Sequence, residues 1–229
     1  MKLSKETLHI LQNYAEINQS ILVKEGDEIE TINAMKNILS KAKVVEKFPK
    51  PFALYKILDF IALYSALKEP ELDFDSSDKY VRVKDLSNGK KWNFNYAEPG
   101  VVVTPPAKGL TLPDTEIKFS LENEVLQGML KEANILGLPD IGIKSCPNSK
   151  GIYLYATNIS NDSSNEGSIQ VGDDASKKVN IIFKKENLKM LPGDYDVTIC
   201  RGISHFKNKD EDLDLEYWIA IEKDSTYGD

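Results

Sequence analysis

With 229 residues, 41% of them hydrophobic, the chain is long enough for one large domain or two of roughly 100–120 residues, with apolar material for real cores. A formal charge of −7 argues against a generic nucleic-acid coat, and two cysteines, Cys146 and Cys200, are too few for a disulfide framework or a Cys-rich metal site. They read as small buried hydrophobes.

The opening MKLSKETLHILQNY lacks the apolar core and small-residue cleavage site of a secretory signal. Residues 4–18 predict a helix with Ser4 as N-cap. Leu8, Ile10, Leu11, Tyr14, Ala15 and Ile17 fill one half of its wheel, while Lys5, His9, Gln12 and Glu16 line the other. The runs SILVKEG, EIETIN and KNILSKAKVV alternate as antiparallel strands do. The apolar stretch 51–67, PFALYKILDFIALYSAL, predicts a helix over 52–67. It is too short to span a bilayer and carries Lys56 and Asp59, so a soluble, cytosolic chain is expected. ELDFDSS, YVRVKDL and KKWNFNYA follow as strands, the last two joined by a two-residue hairpin turn at Asn88-Gly89.

Residues 98–115 hold four prolines and two glycines and read as an extended connector. The order then restarts. TEIKF predicts a strand, and SLENEVLQGMLKEAN a second amphipathic helix opened by Ser120. IGIKSC, GIYLYATNIS and VNIIF predict strands around a polar loop at 160–168. KKENLKM predicts a short helix stopped by Pro192-Gly193, and DYDVTICRG and LEYWIAIEK a closing pair across a charged loop, 204–214. The repeat rests on element order rather than residue identity, and such duplications stack two similar units.

No phosphate-binding glycine loop or dinucleotide fingerprint is present, and His9 and His205 lie in different halves and read as surface histidines. The acids Asp210, Glu211, Asp212, Asp214 and Glu216 suit a solvated edge more often than a cation site. Charge is segregated: the last twenty residues hold eight acids and one lysine, whereas 177–189 hold five lysines and one acid. Lys5, Lys56, Lys131, Lys184, Lys185 and Lys189 all fall on predicted helices, beside Gln12, Asn13, Asn123, Gln127 and Asn134, which can bond phosphate oxygens without reading bases. Scattered lysines on polar helix faces are, on spacing alone, more often plain solubilising residues. In the connector Val101, Val102, Val103, Leu110, Leu112 and Pro113 form an apolar strip that either packs down or walls a peptide groove.

MKLSK at the start, TEIK at 115–118, LKMLPGDY at 188–195 and AIEKDST at 220–226 resemble the sliding clamps of T4-like bacteriophages, the processivity factors of the phage DNA polymerase. The resemblance covers the whole chain, with the middle, about 30 to 97, similar mainly in pattern. It implies an α+β DNA-clamp fold with two similar domains, 1–100 and 115–229, joined by the connector 101–114. Each domain would have two helices backed by antiparallel sheet, and three chains would close a homotrimeric ring around double-stranded DNA. Lys5, Gln12, Lys56, Gln127, Lys131, Lys184, Lys185 and Lys189 would then face the duplex. Implied partners are the phage DNA polymerase, an ATP-driven clamp loader and late transcription factors, in the cytoplasm of the infected host. A partner peptide would enter a pocket with Val103, Leu110, Leu112 and Pro113 on one side and Tyr217, Trp218 and Ile219 as neighbours. Only alternate residues of that strand can face it. No cofactor, metal or catalytic residue is implied. Helix 52–67 departs from the pattern, being apolar almost all round, and the loop 160–176 is longer than a minimal clamp needs. A two-domain scaffold without nucleic acid, or a metal-dependent nuclease on the 210–216 acids, are the competing readings.

Overall fold

Residues 1–107, 109–146, 151–173 and 177–228 are described by the computed structural model. The chain divides into two units, one of Met1–Gly109 with Leu213–Leu215, the other of Leu110–Asp212 with Glu216–Asp229.

The first unit opens with helix α1 (Lys5–Ile17), whose N-cap Ser4 accepts a hydrogen bond from the Thr7 amide at 3.0 Å. The buried Glu46 carboxylate takes the Ser4 amide and the Thr7 hydroxyl, tying the helix start to a strand 40 residues on. Strands β1 (Ile21–Val23), β2 (Gly26–Ile32), β3 (Ile38–Phe48) and β4 (Phe52–Leu54) follow, with β1 paired to β4 and β2 to β3. In β3 the alternation is regular: Val44, Glu46 and Phe48 point in, Val45 and Lys47 out. Helix α2 (Ile57–Ala66) precedes β5 (Pro70–Asp73), β6 (Tyr80–Asp85) and β7 (Lys91–Asn95), a three-stranded sheet in that order. Ile10, Leu11 and Tyr14 of α1 and Ile57, Phe60 and Tyr64 of α2 are buried, each worth about 1.5–3 kcal/mol against exposure.

Two expectations change here. The predicted helix 52–67 starts only at Ile57, because Phe52, Ala53 and Leu54 pair antiparallel with Val23, Leu22 and Ile21 as a strand buried on both faces. The β6–β7 connection is longer than the expected two residues. The Asp85 amide meets the Lys90 carbonyl at 2.8 Å, leaving 86–89 as the loop, with Gly89 at φ 75°. Asp85 organises that loop: the Ser87 hydroxyl and several backbone amides hold its carboxyl down to about 2.

The second unit contains β8 (Thr115–Leu121), α3 (Asn123–Ile135), β9 (Asp140–Cys146), β10 (Gly151–Thr157), β11 (Gly167–Gly172), β12 (Val179–Lys184), β13 (Tyr195–Cys200), β14 (Ile203–Asn208), β15 (Leu215–Ala220) and β16 (Thr226–Tyr227). One sheet runs β11-β10-β9-β12-β16; in the other, β8, β13, β14 and β15 pair in that order. Leu126, Met129 and Ala133 of α3 are buried, as are Ile141, Ile143, Leu154 and Ile181 of the first sheet.

Ser120 does not open α3; it belongs to β8. The helix is capped from a distance instead. The Asn123 amide donates to Asp194 Oδ1 at 2.8 Å, and the Gly193 amide donates to Asn123 Oδ1 at 2.9 Å. The LPGDY turn is thus the N-terminal cap of a helix 70 residues earlier. The region expected as a charged loop, 204–214, contains β14, so β13 and β15 flank a third strand rather than each other. The polar loop expected at 160–168 runs into β11 at Gly167, so the longer loop 160–176 contains a strand; positions 174–176 lie outside the described residues. Cys200 is a buried free thiol; the side chain of Cys146 lies outside the described residues.

Candidate nucleic-acid interface

In the first unit the exposed stripe of α1 carries Lys5, His9, Gln12 and Glu16, opposite the buried Ile10, Leu11, Tyr14 and Ile17. Asn13 is buried and no part of that stripe. Lys56 is the exposed residue before α2, 3.6 Å from Asp59. The outward residues of α2 are Leu58, 54% exposed, with Asp59, Ala62 and Ser65, so this helix presents no cation of its own.

In the second unit the exposed side of α3 carries Glu124, Gln127, Lys131 and Asn134. Asn123 is engaged in the helix cap described above.

The basic segment KKENLKM is not a helix, which corrects the expectation that Lys184, Lys185 and Lys189 share a helical face. Lys184 ends β12, Lys185–Asn187 makes one 3-10 turn, and Lys189 follows in irregular chain. Asn187, Leu188 and Met190 are buried while Glu186 and Lys189 are exposed, so the segment packs down as a single turn followed by irregular chain. The lysines also have local work. Lys184 Nζ donates to Asp140 Oδ1 at 2.6 Å, and Asp140 is 1% exposed, its other oxygen accepting the Ile159 amide at 3.0 Å. That hydrogen bond, with Glu222 and Asp224 adding field, pushes the Lys184 ammonium above its ordinary value despite some desolvation. Lys185 Nζ lies 3.5 Å from the Ala133 carbonyl, on the last turn of α3, where the helix has no basic residue of its own. Lys189 is exposed. Two further cations are held in the same way: Lys177 at 2.8 Å and Arg201 at 2.9 Å grip the buried Glu116, and their hydrogen bonds lower its carboxyl.

The residues proposed for a partner pocket separate by exposure. Val103 and Leu110 are 38% and 41% exposed, Leu112 is half-buried and Pro113 exposed. In β15, Tyr217 and Ile219 have no exposed surface; Tyr217 packs edge-on to Tyr195 and accepts the Leu191 amide. Trp218 points the other way and stacks on His205 at 5.0 Å, while His205 Nε2 meets Glu216 Oε2 at 2.5 Å. The outward set of that strand is therefore Glu216, Trp218 and Ala220.

A groove of about 1100 Å³ in the first unit is lined by Met1, Glu46, Asp73 and Lys84, whose charges are largely paired within it, Lys84 to Asp73 at 2.6 Å. Among the described residues no three His, Cys, Asp or Glu side chains gather as metal ligands, and no helix is long and apolar enough to cross a membrane. Each unit also presents a strand paired on one side among the described residues: β7 with Trp92 half-exposed, and β11 with Ile169 44% exposed.

Comparison with known proteins gives these elements a context. Residues 118–223 match the family described as gp45 sliding clamp, C terminal. The sliding clamp of Vibrio phage KVP40 is 34% identical over 227 residues, covering 97% of this chain and 99% of that protein. The sliding clamp of Enterobacteria phage T4 is 28% identical over 231 residues, covering 99% of each. Among solved structures, that of the C-terminal region of FEN-1 bound to A. fulgidus PCNA superposes with a TM-score of 0.72 at 10% identity, covering 98% of both chains, a likeness of fold.

Proposed function

The chain belongs to the sliding clamps of T4-like phages, and from that premise we propose that it closes as a homotrimer around duplex DNA and tethers the phage replicative polymerase for processive synthesis. The observation that carries this reading is the near-full-length similarity to the KVP40 sliding clamp, joined to a sheet-backed helix with a polar exposed stripe in each unit. Enclosure does the holding, so the stripes need few phosphate contacts, and the polymerase gains processivity without any reaction catalysed by the clamp. Lys5, Gln12, Gln127, Lys131 and Lys189 are the DNA-facing residues on this reading. Lys56 stands at its margin, and Lys184 and Lys185 serve the fold.

The unlike strand edges β7 and β11 support ring closure. Pairing β7 of one chain with β11 of the next is a head-to-tail contact, which generates a closed ring when its rotation fits. A. fulgidus PCNA is bound by the C-terminal region of FEN-1, and by analogy a partner peptide docks here on the second unit, beside Leu110, Leu112, Pro113 and Trp218. An ATP-driven loader opens the ring, late transcription factors use the same docking face, and the protein works in the cytoplasm of the infected host. Light scattering after size exclusion tests the assembly: the expected mass at micromolar concentration is three times the 25.7 kDa of one chain. A persistent monomer contradicts it.

A further inference from the structure

The two exposed stripes share a charge pattern that DNA attraction alone does not explain. On α1 the stripe runs Lys5, His9, Gln12, Glu16, at spacings of four, three and four; on α3 it runs Glu124, Gln127, Lys131, Asn134, at three, four and three. Each stripe has one lysine and one glutamate on the same side of the helix. Lys5 is the only lysine of α1 and Lys131 the only lysine of α3, while α2 has none. The helices as a set therefore carry more carboxylates than ammonium groups: Glu6, Glu16, Asp59, Glu124 and Glu132 against those two lysines.

On α1 this arrangement runs against the dipole. Lys5 sits at the first helical position, where the dipole is positive, and Glu16 in the last turn, where it is negative, so the dipole favours neither. Glu124 lies in the first turn of α3, which suits the dipole; what singles it out is its place seven residues before Lys131, on one line along the axis.

Resting on the reading that these stripes face an enclosed duplex, we propose that Glu16 and Glu124 are brakes on phosphate adhesion. Lys5 and Glu16 are eleven residues apart, about 16 Å along the axis, which exceeds a Debye length of about 8 Å at physiological salt. The glutamate therefore does not simply cancel the lysine. It repels the phosphate nearest to it, so a backbone attracted at one end of a stripe is pushed off at the other. The duplex cannot settle along the helix, and the ring stays mobile.

The test removes the brake. Trimer carrying Glu16→Gln and Glu124→Gln is loaded on a nicked circle, the circle is cut once, and run-off from the ends is timed. Run-off at about 50 mM salt is expected to slow at least about tenfold relative to the parent, with the difference gone near about 0.3 M, because added phosphate contacts are salt-sensitive. The pair Glu16→Asp and Glu124→Asp is expected to restore parental run-off, separating charge from shape. Lys5→Gln with Lys131→Gln is the companion variant. If it alters run-off while the glutamine-for-glutamate variant matches the parent, the brake is overturned and the DNA-facing reading stands. If neither variant alters run-off, the stripes do not face DNA and both fall.

Discussion

Lys184→Ala lowers the stability of the second unit by about 3 kcal/mol and leaves the run-off of the folded ring at the parental rate. The effect is large because it strands a carboxylate. Asp140 is 1% exposed, and Lys184 is its charged partner at 2.6 Å; deleting one member of a buried pair leaves the other uncompensated, at about 3–5 kcal/mol. The lysine side chain is itself 36% exposed, which sets the lower end of that range. In a chain of this length the loss corresponds to a fall of roughly 6–12 °C in Tm, read by thermal unfolding. Alkali gives the same answer by another route. Because the ammonium pKa is raised on folding, the stabilisation is complete below its unfolded value near 10.4 and disappears as pH rises through the folded value. A variant of parental stability whose DNA run-off changed would show instead that Lys184 faces the duplex.

Ile169→Asp is expected to break the ring without unfolding the chain. Ile169 pairs in register with Leu154, which is 1% exposed, yet Ile169 itself is 44% exposed on an edge strand. Burying the 44% of Ile169 that is still exposed is worth about 1 kcal/mol at each contact, and a carboxylate forced into an apolar contact adds a desolvation cost of about 2 kcal/mol or more. Each subunit contact should weaken at least about 100-fold, near 3 kcal/mol, and light scattering should report monomer at a concentration where the parent is trimer. A trimer of unaltered strength would place the contact elsewhere than β11.

What the sequence could and could not reveal follows from the range of the interactions involved. Helix α1 was legible in full because its cap, its apolar arc and its polar stripe are all local: Ser4, Thr7 and the i, i+3, i+4 pattern suffice. Strand β3 was legible by alternation. The basic segment misled because lysine density looks like a solvated helix face, whereas the partners that shape it, Asp140 and the Ala133 carbonyl, are 44 and 52 residues away. Strand β14 was hidden by the charges of KNKDED, although Ser204, Phe206 and Asn208 alternate inward. LKMLPGDY stood out by resemblance, but its physical task, capping α3 through Asp194 and Gly193, depends on a residue far back in the chain. In β15, periodicity limited the outward set to alternate residues, and only the packing of Tyr217 against Tyr195 decided which.

Holding by enclosure is read most directly from the lifetime of the loaded protein on a nicked circle against the same molecule cut once. Enclosure predicts long residence on the circle with little dependence on salt, and rapid loss once ends exist. Equal lifetimes on both, falling together as salt rises, would mean that ordinary phosphate contacts do the holding and that no ring surrounds the duplex.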